Sequence, residues 1–245
     1  MRSTKATCFA NSTNSNVSTY ISTGCAPIDE LLGGGFERGV VTQIYGPPAA
    51  GKSNLVLSGA VEAAVAGEST LYIDTEGLSV DRMEQLARGH PDVTLESVAG
   101  NLIVSEALDF EQQREAVQDA TEFADQVGLI VLDSATGFYR LERTERDEGE
   151  ALRAVARQIT HLLSLARKHD IAVVVTNQVY TDPDSDGVRA LGGHTLNHWS
   201  GVILRLDRFR GGNRRATLEK HHAQKAGGTA AFQITADGIT ETERL

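Results

Sequence analysis

A phosphate-binding pattern of the form Gly-x-x-x-x-Gly-Lys-Ser occupies residues 46–53. Its glycines allow backbone N–H groups to reach the oxygens of a nucleotide tail, because no Cβ blocks the approach. Lys52 adds a positive charge for the β- and γ-phosphates, and the Ser53 hydroxyl can ligate Mg²⁺. The pattern predicts a nucleoside triphosphate site along one continuous stretch: Gly46, Pro47, Pro48, Ala49, Ala50, Gly51, Lys52, Ser53 and Asn54.

The sequence on either side of this phosphate loop has the properties that such a site needs. Residues 40–45 have the pattern of a buried strand, and residues 54–64 have the composition of a helix. The helix would direct its dipole and its unpaired N–H groups at the bound anion. A chance glycine-rich turn is therefore a poor explanation of the pattern.

Two further predicted strands end near acidic residues that could act on the nucleotide. The apolar run 129–132 leads into Asp133, which would lie beside the phosphate loop and hold a Mg²⁺-bound water. Residues 71–74 form another short strand, and Glu76 just beyond it could orient and deprotonate an attacking water. For Glu76, a solvated loop acid is an equally good interpretation from residue chemistry alone.

Gln178 follows a predicted strand over residues 171–176. A neutral amide at this edge can donate a hydrogen bond to the γ-phosphate and pass the state of the nucleotide to the loop beyond. An ordinary cap at a strand end fits the sequence equally well.

The composition is that of a globular chain of 245 residues with a formal net charge of −10. Only five of its 23 basic residues are lysines, and 33 residues are acidic. An acidic, lysine-poor surface suits a cell with high internal salt, where self-repulsion is screened. The balance argues against indiscriminate binding of nucleic acid, so any such role needs a local basic patch.

One basic segment stands out between residues 205 and 225. It could contact DNA phosphates, form a solvated hairpin or face an acidic neighbouring subunit. We take its arginines as DNA-binding candidates: Arg208, Arg210, Arg214 and Arg215.

Strands and helices alternate along most of the chain, and short strands follow Trp199. This order predicts an α/β protein with a mostly parallel central sheet, helices on both faces and a C-terminal antiparallel extension. Residues 1–23 are polar and predicted to be a disordered tail, with one core domain over residues 24–245. No apolar run is long enough for a membrane span, and we expect a cytoplasmic protein.

Four segments of this chain also match a known pattern. They are the entry segment 23–39, Tyr-Ile-Asp-Thr-Glu-Gly at 72–77, Asn-Gln-Val at 177–179 and Gly-Gly-His at 192–194. Together with the phosphate loop they resemble the RecA-type recombinase family in its archaeal and eukaryotic branch, from residue 24 to about 240. The short archaeal paralogues of that branch are most similar, because only 23 polar residues precede the core. The resemblance implies a RecA-like P-loop ATPase core.

The same resemblance implies ATP and Mg²⁺ as cofactors and gives roles to the matching positions. Ser53 would bind Mg²⁺ directly, and Asp133 would support it through a water. Lys52, Glu76 and Gln178 would be the catalytic residues, as phosphate ligand, general base and nucleotide sensor.

Two further positions matter to the nucleotide by resemblance alone. His194 would approach the γ-phosphate across a subunit boundary, and Arg82 occupies the place where the family often has an arginine near the adenine.

The family's two DNA-binding loops would follow Asp133 and precede residue 192. Both carry many acidic residues here, which would repel a phosphate backbone at moderate salt. The basic candidates in these loops are Arg140, Arg143, Arg146 and Arg189.

The resemblance implies an accessory protein of DNA repair and homologous recombination, with weak DNA-independent ATPase activity and no strand exchange of its own. Its partners would be DNA, single-stranded or branched, and a RadA-type recombinase, and a homo-oligomer stays open. Two alternatives remain. One is an ATP-gated module that loads a partner recombinase without hydrolysis, and the other is a signalling ATPase resembling the KaiC family.

Overall fold

The computed structural model describes residues 18–139, 148–181 and 188–242. The α-helices in these ranges are α1 (Ala26–Leu32), α2 (Lys52–Val65), α3 (Val80–Gly89), α4 (Leu95–Gly100), α5 (Phe110–Phe123), α6 (Glu148–His169) and α7 (Gly193–Trp199). The strands are β1 (Tyr20–Ile21), β2 (Phe36–Glu37), β3 (Val41–Tyr45), β4 (Ser69–Asp74), β5 (Leu102–Glu106), β6 (Val127–Asp133), β7 (Ala172–Asn177), β8 (Val179–Thr181), β9 (Val188–Ala190), β10 (Val202–Arg208), β11 (Asn213–Lys220), β12 (Thr229–Ile234) and β13 (Ile239–Glu241).

Within the described part of the chain, the main sheet has nine strands in the order β13-β12-β11-β10-β3-β7-β6-β4-β5. The six strands from β10 to β5 are parallel, whereas β11, β12 and β13 are joined antiparallel to the β10 edge. This is the predicted fold class. The carboxyl ends of β3, β4, β6 and β7 meet at one edge, where an open parallel sheet binds its ligand.

Burial on both faces explains the continuous apolar runs of β6, over residues 127–132, and of β7, over residues 172–175. Every residue of β3, β6 and β7 is buried. Helices α1 to α4 pack on one face of the sheet, and α5 to α7 contribute to the core on the other face. Three helices have a capped amino end: Ser79 is the N-cap of α3, Thr94 of α4 and Asp109 of α5. Each of these side chains accepts a hydrogen bond from the backbone N–H three residues later.

The N-terminal boundary of the core was predicted wrongly. Residues 18–23 belong to the fold, because β1 pairs with β2 and both Ile21 and Thr23 are buried. Thr23 N also donates to Asp29 Oδ1 at 2.8 Å. Gly35 has φ +127°, and a Cβ there would lie 2.3 Å from the Ile21 carbonyl oxygen, so β1 can approach only a glycine. Residues 1–17 of the predicted tail lie outside the described residues.

Candidate nucleotide-binding site

The phosphate loop connects β3 to α2, as the sequence predicted. Two of its glycines are required because neighbouring atoms leave no room for a side chain. Gly51 caps α2 with φ +104°, and no side chain of the described residues caps that helix end. A Cβ on Gly46 would lie 2.2 Å from the Leu206 carbonyl oxygen, and one on Gly51 would lie 2.7 Å from Ile234 Cδ1. The first N–H groups of α2 are therefore left for an anion.

Lys52 lies at the start of α2 and is buried. Its Nζ donates to the carbonyl oxygens of Gly46 at 3.0 Å and Pro47 at 3.3 Å. Burial lowers the pKa of this ammonium group, while the nearby carboxylates of Glu76 and Asp133 raise it. A bound phosphate would supply the negative charge that this desolvated cation lacks.

Asp133 ends β6 and is buried beneath the same loop. Its Oδ2 accepts a hydrogen bond of 2.7 Å from the Tyr72 hydroxyl, and its Oδ1 accepts one from the Thr176 hydroxyl. Burial raises the pKa of this carboxyl group, and the hydrogen bonds from Thr176, Tyr72 and Ser53 oppose that rise. Ser53 and Asp133 thus form an adjoining hydroxyl and carboxylate, an oxygen donor set suited to Mg²⁺.

Glu76 lies close to Gln178, as expected if both serve one site. Glu76 Oε1 accepts hydrogen bonds from Ser134 Oγ at 2.7 Å and from Gln178 Nε2 at 2.9 Å. Asp74 has a different task, because it accepts hydrogen bonds from the backbone N–H groups of residues 76, 77 and 78. It fixes the turn that presents Glu76, and Glu76 carries the carboxylate exposed to the site.

A cavity of about 370 Å³ lies against these groups. Ser53, Asn54, Glu76 and Asp133 are among the residues that line it. Arg82 also lines it, but its guanidinium is already bound to the protein: it donates to Asn54 Oδ1 at 2.6 Å and to three backbone carbonyls of residues 235–238. Arg82 therefore ties α3 to the β12–β13 turn, and a contact with adenine stays a prediction.

Several predicted site residues cannot be placed by their side chains. Arg140, Arg143 and Arg146 lie outside the described residues. The backbones of three others lie in β9, α7 and the short 3-10 helix after β10, and their side chains lie outside the described set: Arg189, His194 and Arg210.

Some arginines of the basic segment contact other side chains of the protein, and others are exposed to solvent. Outside the candidate list, Arg205 pairs with Asp207 at 3.1 Å. Arg215 stacks 4.7 Å from the Phe209 ring centroid. Arg214 packs against the phosphate loop, since a Cβ on Gly51 would lie 3.3 Å from Arg214 Nε. The Arg214 side chain therefore lies closer to the candidate nucleotide site than its prediction as a DNA-binding residue suggested. Arg208, by contrast, is exposed.

The residues that orient Asp133 were missed from the sequence. Tyr72 lies two residues before Asp74 on β4, and β4 pairs with β6 so that Asp74 is opposite Asp133. Residues two apart in a strand share a face, so Tyr72 could have been assigned to the face of Asp133 once this register was known. Thr176 offers no comparable signal, because its hydroxyl is one of several polar groups at a strand end.

Tyr72→Phe removes the hydrogen bond to Asp133 and keeps the ring. The pKa of the Asp133 carboxyl group, already raised by burial, should rise further. The variant should therefore become protonated at Asp133 at a higher pH than the wild type. We expect ATP affinity in Mg²⁺ to fall about tenfold, and more at mildly acidic pH, since a hydrogen bond to a charged group is lost. Calorimetric titration with Mg²⁺ and with EDTA measures this. Affinity in EDTA should not change, and Tyr20→Phe, far from the site, should behave as the wild type. An unaltered Mg²⁺ dependence would contradict the assignment.

Among the described residues, no helix is both long enough and apolar enough to cross a lipid bilayer. The parallel sheet, the phosphate loop after β3 and the acidic residues at the ends of β4 and β6 define the RecA-like recombinase fold.

Comparisons of this chain with known proteins agree with this class of fold and indicate one branch of the family. The Rad51 family model matches residues 15–242. A Halobacterium salinarum protein named DNA repair and recombination protein RadB is 62% identical over 224 residues, covering 90% of this chain and 94% of the relative. The RadB of Methanococcoides burtonii is 44% identical, covering 88% and 95%. A crystal structure of the RadB recombinase has a TM-score of 0.78 at 36% identity, covering 91% of this chain and all of that one.

The chain therefore belongs to the Rad51 family, on its RadB branch. The predicted family and fold class are confirmed.

Proposed function

We propose that the protein binds ATP with Mg²⁺ and DNA and acts as an accessory protein in DNA repair and homologous recombination, in a cell of high internal salt. It turns ATP over weakly and exchanges no strands itself. One observation carries the nucleotide part: four separate parts of the chain bring polar side chains together at the carboxyl edge of one sheet. They are the start of α2 with Lys52 and Ser53, the end of β6 with Asp133, and the segments after β4 and β7 with Glu76 and Gln178. The names of the RadB relatives support the repair role.

Each residue in this arrangement has a role that its surroundings support. Lys52 and the N-terminus of α2 bind the phosphates. Ser53 and Asp133 hold Mg²⁺, which would neutralise the charge developing on the phosphates. Glu76 retains Oε2 as an acceptor for a water, because the two hydrogen bonds described above go to Oε1. Gln178 contacts the base and is itself the residue that joins β7 to β8.

Binding of DNA is supported by exposed positive charge near this site. Arg208 is exposed at the end of β10, and the pKa of Arg214 is lowered by burial and by the nearby charges of Arg208 and Arg82. These arginines repel one another, so an anion brought between them would be stabilised. The net charge of −10 should keep this binding weak and dependent on salt.

The contact between Gln178 and Glu76 also favours a second candidate function, the ATP-gated module that loads a RadA-type recombinase. The sensor amide holds the base by a direct hydrogen bond of 2.9 Å. A γ-phosphate that draws Gln178 away would release the segment after β7 without any need for hydrolysis. The two functions differ in whether Glu76 must act as a base.

Glu76→Gln separates these functions. We expect ATP turnover to fall about a hundredfold, because general-base catalysis is lost, while MgATP affinity changes by less than about threefold. Turnover should be measured with and without single-stranded DNA, at low and at molar salt. Glu84→Gln, an acid on α3 outside the cavity lining, is the matched control. A variant that has lost turnover but still restores break repair in a deletion strain would favour the gated module. Turnover that survives the change would reject Glu76 as the base.

A further inference from the structure

A second cavity lies between α5 and α6, separate from the residues of the nucleotide site. Its volume is about 180 Å³, smaller than the roughly 300–1,000 Å³ of pockets for drug-sized ligands. Arg114, Arg157 and His161 contribute two guanidinium groups and an imidazole to its lining, and among the described residues no carboxylate lines it. In a chain of net charge −10, this is a local excess of hydrogen-bond donors and positive charge.

The nitrogen of one buried amide in the lining has no hydrogen-bond partner among the described residues. Gln158 lines the cavity and is 4% exposed, and Gln113 behind it is fully buried. Gln113 Nε2 donates to Gln158 Oε1 at 2.8 Å and to the Ala135 carbonyl oxygen at 3.3 Å. A backbone carbonyl only accepts, so Ala135 sets the orientation of the Gln113 amide, which in turn sets that of Gln158.

That orientation leaves Gln158 Nε2 as a donor with no hydrogen-bond partner among the described residues, and Gln113 Oε1 as an acceptor in the same position. Buried donors in native proteins almost always have a partner, so this one calls for an occupant that the described part of the chain does not provide.

The surrounding cations decide what kind of occupant fits. Arg114 shares its guanidinium with Glu111 on the exposed side of α5, and His161 Nε2 lies 3.1 Å from Thr121 Oγ1. Arg157 is exposed at the cavity. We propose that this cavity binds a small free oxyanion of the phosphate type, held by Arg114 and Arg157 and, once its side chain turns towards the cavity, by the Gln158 amide. Guanidinium groups and amide donors are the usual ligands of phosphate oxygens.

Hydrogen bonds connect this site to the nucleotide site. Ala135, which accepts from Gln113, donates its N–H to the Thr176 carbonyl oxygen at 2.9 Å. The Thr176 hydroxyl in turn donates to Asp133. An anion that engages Gln158 therefore acts on groups joined to the carboxylate assigned to Mg²⁺. Any change it makes in MgATP affinity must be matched by an equal change in phosphate affinity caused by MgATP.

Calorimetric titration of inorganic phosphate at constant ionic strength tests the proposal. Lys52→Ala serves as the background, because the phosphate loop itself could bind the probe. We expect one saturable site per chain, weakened about tenfold or more by the further change Arg157→Ala, since charge-assisted hydrogen bonds are lost. Arg153→Ala is the matched control: Arg153 is exposed on the same helix and does not line the cavity. It should change the affinity by less than about twofold.

Two results would overturn the proposal. One is the absence of saturable phosphate binding, and the other is an affinity that Arg157→Ala leaves unaltered. Either result would assign the unpaired amide to a water molecule. Neither outcome bears on ATP binding by the wild-type chain, so the proposal and the proposed function fail independently.

Discussion

Lys52→Ala should lower MgATP affinity by at least about thirtyfold. The ammonium group is buried and carries no carboxylate within hydrogen-bonding distance among the described contacts, only the carbonyl oxygens of Gly46 and Pro47. Its charge is thus available to the β- and γ-phosphates, and loss of a charge-assisted contact costs about 2–5 kcal/mol, which corresponds to a factor of about 30 or more. Fluorescence titration with a labelled ATP analogue measures the change.

The folded state should not suffer from this substitution. Desolvation lowers the pKa of Lys52, so the buried charge is unfavourable in the protein without nucleotide. We expect the melting temperature without ATP to stay equal or to rise slightly, while the stabilisation that MgATP gives the wild type disappears. Lys168→Ala removes the same charge at an exposed position near the end of α6 and should leave binding intact. Normal affinity in Lys52→Ala would remove the basis of the nucleotide site.

The positions of several candidate site residues could be predicted because they follow from topology alone. Asp133 ends one strand of the parallel sheet, and Glu76 and Gln178 lie just beyond the ends of two others. The carboxyl ends of such strands lie at one edge whatever the exact register. The phosphate loop could also be predicted, because its glycines, lysine and serine are close together along the chain.

The contacts that orient these residues could not be predicted in this way. The hydrogen bond from Tyr72 to Asp133 depends on the register between β4 and β6, which no local pattern states. The basic segment shows a related limit. Its charge excess was visible, but not that Arg205 pairs with Asp207 or that Lys220 donates to the carbonyl oxygens of residues 197 and 200.

Arg38 was also missed, although it makes the most extensive set of polar contacts at the opposite edge of the sheet. Its side chain is 3% exposed, and Nη2 donates to both carboxylate oxygens of Glu68 at 2.6 and 2.7 Å. Nε donates to the Ser18 carbonyl oxygen, and Nη1 donates to those of Gly128 and Asp170. These partners lie immediately before or at the start of β1, β4, β6 and β7. One guanidinium group therefore fixes the amino ends of β4, β6 and β7, three of the four strands whose carboxyl ends form the candidate site.

Arg38→Ala should lower the free energy of unfolding by about 3–5 kcal/mol, because it leaves a partly buried carboxylate and buried carbonyl groups without their donor. Chemical denaturation measures the change. Arg88→Ala breaks an exposed ion pair with Glu84 on α3 and should cost less than about 1 kcal/mol. Arg38→Lys keeps the charge but cannot reach all of these acceptors at once, so its loss should be intermediate.

Salt dependence distinguishes a buried network from surface electrostatics. At molar salt the small effect of Arg88→Ala should vanish, since the Debye length falls to about 3 Å and the pair is exposed. The loss in Arg38→Ala should persist, because its donors and acceptors are shielded from solvent ions and most of the cost is desolvation of the groups left unpaired. A loss below about 1 kcal/mol, or one that salt removes, would show that the amino ends of these strands are held by packing alone. A loss that persists would make Arg38 a polar anchor that works equally well at high salt.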